Sequence, residues 1–234
     1  MLSEVVGLVG FWGRLLDGAV MTAAISIAAL GGGLILSMLL AGMKLSRLWI
    51  LVWPAEALTT LVRGIPELLL ILFVYYGVPL LLNDQLLIPN GLAPITLEPF
   101  MAGVIALSID FAAYGNEVFR SVFLAFPKGQ VEAARACGMG RLKTFRRIIL
   151  PQIWAPAIPP LGNLWMVLLK ASALVSAISL EETMRAADIA RQVTRDPFVW
   201  YGAAALIFLF FTFISEIGQK RIEAWANRGK RTAR

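Results

Sequence analysis

Asp110, Tyr114 and Glu117 are the residues best placed to do chemistry, because they interrupt a long apolar stretch at helical spacing. The offsets i, i+4 and i+7 put all three on one helical face. Two carboxylates and a phenol on one stripe make an acidic path for a positively charged group. Glu117 has a second possible partner in Arg120, three residues on. Glu67 opens another apolar run, and Arg63, four residues earlier, can pair with it. Lys170 and Ser172 stand near the end of a further run. Lys170 can meet a carboxylate, snorkel to the water boundary or bond an acid within a bundle. Ionisable groups at such places are costly, and they face a bundle interior or a cavity.

Several chemistries are excluded. The chain has 0 His, which removes His metal ligands and a His general base. Its Gly-Lys pair, Gly229-Lys230, is followed by Arg231, so no phosphate-cradling loop is present. Cys137 lacks partners for a zinc site, and beside Gly138 it reads as a small packed side chain rather than a nucleophile. As the single cysteine it excludes an intramolecular disulfide and suits a reducing side of a membrane.

The elements that position these residues are membrane spans. Hydrophobic residues make up 59% of the 234 and charged ones 15%, against about 25% charged in soluble domains. Residues 18–43 carry no charged side chain, a run longer than the roughly 20 residues that cross a bilayer. Apolar runs predict an all-α integral membrane protein with five transmembrane helices, at about 18–43, 64–82, 99–119, 152–172 and 197–216. They form one domain over residues 1–234. An amphipathic segment from Leu48 to Leu61 leads along the interface to Pro66, which opens the buried part of span two. Pro156, Pro159 and Pro160 predict a broken or bent fourth span. Glu4, Arg14 and Asp17 do not form a cleavable signal, so the first span is expected to stay as an anchor.

Charge orients the spans. Arg120, Lys128, Arg135, Arg141, Lys143, Arg146 and Arg147 fall between spans three and four. Lys220, Arg221, Arg228, Lys230, Arg231 and Arg234 follow span five, and Lys44 and Arg47 follow span one. Residues 83–98 contain no Lys or Arg, so they face outward, with the N-terminus outside and the C-terminus in the cytoplasm. The mixed 173–196 connection weakens that assignment only slightly. The net charge of +6 therefore belongs to basic cytoplasmic segments rather than to nucleic-acid binding.

The largest basic segment, 120–151, reads Glu132-Ala133-Ala134, three residues, Gly138, nine residues, Ile148, one residue, Leu150-Pro151. Val131 to Cys137 forms a helix, Gly138 permits a break, and Leu142 to Leu150 forms a second, basic helix. Such a knob can dock into a cleft of a cytosolic partner. This pattern resembles the EAA motif of permease subunits of binding-protein-dependent ABC importers. Further matches cover nearly the whole chain. Arg63-Gly64-Ile65-Pro66-Glu67 with Leu68 to Gly77 is similar to the RGxP…YYG stretch of polar amino-acid permeases. Tyr114, Glu117, Arg120 and Pro127-Lys128-Gly129-Gln130 resemble the approach to their coupling loop. Pro159-Pro160-Leu161-Gly162-Asn163 and Leu169-Lys170-Ala171-Ser172-Ala173-Leu174 resemble their fourth span.

The resemblance implies the type I ABC importer permease fold, not an enzyme, with a cytoplasmic coupling-helix loop. Glu132, Ala133, Ala134 and Gly138 would carry force from ATPase subunits, which bind the ATP and Mg; this chain needs no cofactor. It also implies a bacterial inner-membrane location, a second permease chain and a periplasmic substrate-binding protein. The substrate would be a polar, basic amino acid or opine, of the histidine/lysine/arginine/ornithine or octopine/nopaline type. Many single-permease relatives carry an acid where this chain has Ala171, which favours a non-identical partner permease. The alternative is an ATP-independent secondary transporter or channel, which gives the knob no purpose. A docking-only scaffold or sensor is a further rival.

Overall fold

The computed structural model describes residues 2–227, with side chains from Gly10 onward, and every element among them is helical. In chain order these are α1 (Leu2–Lys44), α2 (Trp49–Gly64), α3 (Glu67–Asn90), α4 (Pro99–Leu124) and α5 (Lys128–Ala136). They are followed by α6 (Arg141–Ile178), α7 (Thr183–Thr194) and α8 (Pro197–Ala226). Tail residues Arg228, Lys230, Arg231 and Arg234, and the side chain of Glu4, lie outside the description.

Four helices are long and apolar enough to cross a membrane: Gly10–Lys44, Glu67–Asn90, α6 and α8. The expected third span, α4, has the length, 26 residues, but Asp110, Asn116, Glu117 and Arg120 make it more polar. Its position explains how it tolerates them. It packs against α1, α2, α3 and α6, and twelve of its residues are buried, so its neighbours are mostly protein. Asn116 is half satisfied: its Nδ2 donates to the carbonyls of Ala112 and Ala113 at 2.9 and 2.8 Å, while its buried Oδ1 has no partner among the described residues.

Small residues let α1 and α4 touch. Ala29, Gly33, Ser37 and Ala41 recur every fourth position on α1, and all four are buried. A Cβ on Gly33 would come within 2.8 Å of the Phe111 ring, and one on Gly115 would overlap the Ser37 hydroxyl. The Ser108 hydroxyl donates to the Ala29 carbonyl at 3.1 Å. In lipid, where apolar surface gains little by leaving the hydrocarbon, such close backbone packing is what joins helices.

Several expected boundaries move. α1 begins at Leu2 rather than 18, because its early turns have a partner: Leu15 packs with Ala186, Ala187, Ala190 and Trp200. The amphipathic lead-in is α2, and Ile65-Pro66 is the extended break before α3. Span two runs to Asn90, with widened turns at Phe73–Gly77 and Asn83–Leu87, and stops at Gly91 with φ 72°. Span three continues to Leu124. The second helix of the coupling loop is not separate from span four; α6 runs unbroken from Arg141 through Pro151 to Ile178.

The fourth span is also not broken at its prolines. Leu150–Ala171 stays α-helical through Pro156, Pro159 and Pro160. The loosened turn lies earlier, at Phe145–Ile149, just before Pro151. A proline clashes with the carbonyl four residues back, and a widened turn there moves that carbonyl aside. Gln219 on α8 supplies one outside donor, its Nε2 reaching the Pro159 carbonyl at 3.4 Å.

Candidate functional site

The acidic stripe on α4 divides into three environments. Asp110 is buried, 8% exposed, and Glu67 at the start of α3 lies within Coulombic reach of it. Tyr114 is 41% exposed. Glu117 turns to the end of α1, where the Lys44 ammonium donates to its Oε1 at 2.7 Å. Thus Glu67 stays within electrostatic reach of Asp110 while Glu117 leaves the group. Arg63, expected as a partner for Glu67, approaches Glu117 instead at 4.0 Å. Lys170 is exposed and, among the described residues, pairs with neither acid. Ser172 is fully buried, and its hydroxyl donates to the Leu169 carbonyl at 2.7 Å, so its proton serves its own helix.

Around Glu117 stands a five-membered charge cluster that ties three helices. The Lys44 side chain has 0% exposure and also meets Glu56 of α2 at 3.3 Å. Arg120 reaches Glu117 Oε2 at 3.4 Å, fulfilling the i+3 pairing, but Lys44 is the nearer partner. Lys44 ends α1, so its charge also complements the helix C-terminus. Lys44 was missing from the candidate residues. The available signal was its place as the first charged residue after span one, at the end of a helix whose neighbouring helices carry Glu56 and Glu117.

The coupling knob is built from local chain geometry. α5 ends at Ala136, and Gly138 adopts φ 76°. The Gly138 N–H donates to the Arg135 carbonyl at 2.9 Å and the Met139 N–H to the Ala134 carbonyl at 3.0 Å. Those two bonds form a Schellman ending, which needs the left-handed conformation glycine adopts without strain. Gln152 Nε2 then donates to Gln130 Oε1 at 2.7 Å, strapping the start of α5 to the base of span four. Ala134 is buried under the knob, whereas Glu132, Ala133 and Gly138 are exposed. Cys137 is exposed too, contrary to the expected packed side chain, because the helix end turns it outward. A cleft of about 490 Å³ beneath the knob is lined by Phe126, Pro127, Gln130, Gln152, Ile153 and Pro156. Leu142, 80% exposed, stands on the outer surface of the same unit, an apolar projection suited to docking.

A second unforeseen site joins the middle of α1 to α7. Glu182 caps α7, and its Oε1 accepts the Arg185 N–H at 2.9 Å. The Thr22 hydroxyl of α1 lies 3.2 Å from Glu182 Oε2 and 2.7 Å from the Thr183 hydroxyl. Burial raises the Glu182 carboxyl from the usual 4.5 to about 7, against the opposing bonds from the Met184 and Arg185 N–H groups and Thr22. On the solvent side of α7, Asp188 is held below the usual carboxylate range, first by its hydrogen bond from Arg191 at 2.8 Å. Tyr201 of α8 also donates to it, at 3.0 Å. A capping signal before α7 was readable in Glu181-Glu182-Thr183; no local pattern pointed to Thr22, 160 residues away.

Known proteins share this architecture along nearly its full length. Residues 33–228 match the family described as binding-protein-dependent transport system inner membrane component. The nopaline transport system permease protein NocQ of Agrobacterium fabrum is 41% identical, over 94% of this chain and 94% of its own. The arginine ABC transporter permease protein ArtQ of Escherichia coli is 38% identical, covering 93% and 96%. A solved structure titled "Crystal structure of an amino acid ABC transporter with histidines" superposes with a TM-score of 0.77. It is 30% identical and covers 94% of this chain and 97% of that one. The coupling knob, the multi-pass helical bundle and these matches agree: the chain belongs to the inner-membrane permease components of binding-protein-dependent ABC transport systems.

Proposed function

We propose that this chain moves a cationic amino acid or an opine through the membrane as one of two non-identical permease subunits. The observation that carries the substrate class is the buried Asp110 carboxylate with a half-buried second acid, Glu67, in electrostatic reach. Asp110 is 8% exposed, has Glu67 nearby, and forms no ion pair with a Lys or Arg among the described residues. A buried carboxylate costs several kcal/mol without a partner or water, and a passing cation supplies the partner. The relatives named for nopaline and arginine transport support the same reading. Tyr114, Glu67 and Lys170 complete the path as weaker contacts, and Ser172 shapes its helix.

ATPase subunits hold ATP and Mg and dock on Glu132, Ala133, Ala134 and Gly138, and a periplasmic binding protein delivers the substrate. ATP binding closes the ATPases, draws the knobs together and opens the path outward; hydrolysis resets it. The N-terminus lies outside and the C-terminus in the cytoplasm, a reading supported by the Lys/Arg distribution. Ala171 in place of an acid supports a partner permease that differs from this one.

Uptake by the reconstituted complex tests the site. Asp110→Asn keeps the volume and removes the charge. It should lower arginine uptake about tenfold or more, as loss of a charged hydrogen bond implies, and glutamine uptake far less. Equal losses for both, or none, would return selectivity to the binding protein.

A further inference from the structure

Glu182 has 0% exposure, and among the described residues no Lys or Arg forms an ion pair with it. Buried carboxylates normally have a cation or a metal, so its surroundings need another account. The charged side chains on the surrounding elements do not supply one. On α1, Arg14 and Asp17 are exposed, as is Glu181 on the turn and Asp196 before α8. The Arg185 guanidinium on α7 points to Asp188, at 3.9 Å.

Hydroxyls and backbone surround the carboxylate instead. The Thr22 oxygen accepts the Thr183 N–H at 3.1 Å and lies 3.0 Å from the Gly18 carbonyl. It is also within 3.2 Å of Glu182 Oε2 and 2.7 Å of the Thr183 hydroxyl. One Thr22 proton cannot serve three acceptors. A proton on Glu182 closes the network, because the carboxyl then donates to Thr22 and frees the Thr22 proton for Gly18 or Thr183. The backbone is pressed close as well: a Cβ on Gly18 would lie 2.9 Å from the Glu182 carbonyl carbon. Behind this contact Leu15, Ala186, Ala187, Ala190, Trp200 and Ala204 form a small core of their own. The Trp200 indole N–H donates to Thr194 at 2.7 Å.

We propose that Glu182 is a positioning residue of the transport cycle that works as a neutral acid, donating its proton to Thr22 so that α1, α7 and the start of α8 move as one rigid piece. Ionisation leaves an unpaired charge between packed helices and loosens the piece. The elevated titration point of the carboxyl, about 7, places that change within reach of physiological pH. Its stabilising contribution is complete below the ordinary value of 4.5 and is lost as pH rises through about 7. The proposal rests on the chain being a permease that changes state, but the melting measurement below reads Glu182 without any transport.

The test uses the whole complex with its partner subunits in nanodiscs, where both faces meet one buffer. Wild type, Glu182→Gln and Glu182→Asp are compared for ATPase activity and melting temperature at pH 6 and pH 8. For a carboxyl titrating near 7, the neutral fraction falls about tenfold over that range. Glu182→Gln, permanently neutral, should match wild type at pH 6. At pH 8 it should exceed wild type by several-fold in activity and melt at the higher temperature. Glu182→Asp cannot reach Thr22 and should be impaired at both. A Glu182→Gln complex whose pH profiles parallel wild type, or which is inactive at pH 6, would overturn the proposal.

Discussion

α1 is held at its C-terminal end and at its middle by opposite means. At one end Lys44 sits in a cluster of ions, with Glu117 at 2.7 Å and Glu56 at 3.3 Å. About 33 Å away, 22 residues at 1.5 Å each, Thr22 meets a carboxyl with no cation in contact. The charged end joins α1, α2 and α4 next to the coupling knob; the middle joins α1, α7 and α8 through hydroxyls, alanines and a tryptophan. Ions in a partly open cluster can exchange partners, since Glu117 is offered Lys44, Arg63 and Arg120 together. The hydroxyl network has one good arrangement and one proton to lose. The difference teaches that the end next to the knob can rearrange by swapping ion partners, whereas the mid-helix contact is built to stay together.

The largest effect should follow from breaking the knob on the charged side. Gly138 has φ 76°, while proline holds φ near −65° and removes the N–H given to the Arg135 carbonyl. Gly138→Pro should abolish uptake while ATPase activity persists and the complex still inserts. Unchanged uptake would remove the knob from the coupling path. Next come the two halves of the central ion pair. Glu117→Gln leaves a lysine with 0% side-chain exposure and Glu56 as its remaining acid; Lys44→Met leaves a glutamate that is 33% exposed and near two arginines. The orphaned lysine is the costlier remnant, so Glu117→Gln should destabilise by about 1–3 kcal/mol and Lys44→Met by less. Denaturation midpoints of the two variants decide it, and the reverse order would show that Glu56 alone satisfies Lys44.

Much of this was legible in residue pattern, for physical reasons that also mark where legibility ends. The apolar runs, the offset from Glu132 to Pro151 and the need for a permissive Gly138 are local properties, and local properties survive folding. Span ends were less readable: α1 gains its early turns from Trp200 and Ala186, far away in sequence. The proline-rich fourth span was misleading too, since the helix continues through Pro156, Pro159 and Pro160 and the widened turn falls earlier, at Phe145–Ile149 before Pro151. Asp110 and Glu117 share a helical face by spacing, yet Lys44 separates their roles, and no periodicity within α4 encodes Lys44. Glu182 with Thr22 is the extreme case, because a neutral network leaves no charge pattern to notice.

The smallest perturbation tests which end of the molecule faces the cytoplasm, and it should leave transport intact. Asn90 lies at the end of α3 beside a stretch without Lys or Arg, and Lys143 lies on the coupling segment among basic residues. Both positions are exposed, so a cysteine at either would be reachable from its own side. Cys137 is exposed on the knob and would confuse the result, so Cys137→Ser comes first. In that background Asn90→Cys should react with a membrane-impermeant maleimide on intact spheroplasts. Lys143→Cys should react only after the membrane is opened. The charge asymmetry motivates this, because short basic segments stay on the cytoplasmic side. α4 is the decisive element, since it has span length but is more polar than the other four spans. If α4 does not cross, Asn90 and Lys143 fall on the same side of the membrane and label together. Labelling on opposite sides in the stated order leaves five crossings, with the ion cluster inward and the Glu182 network outward.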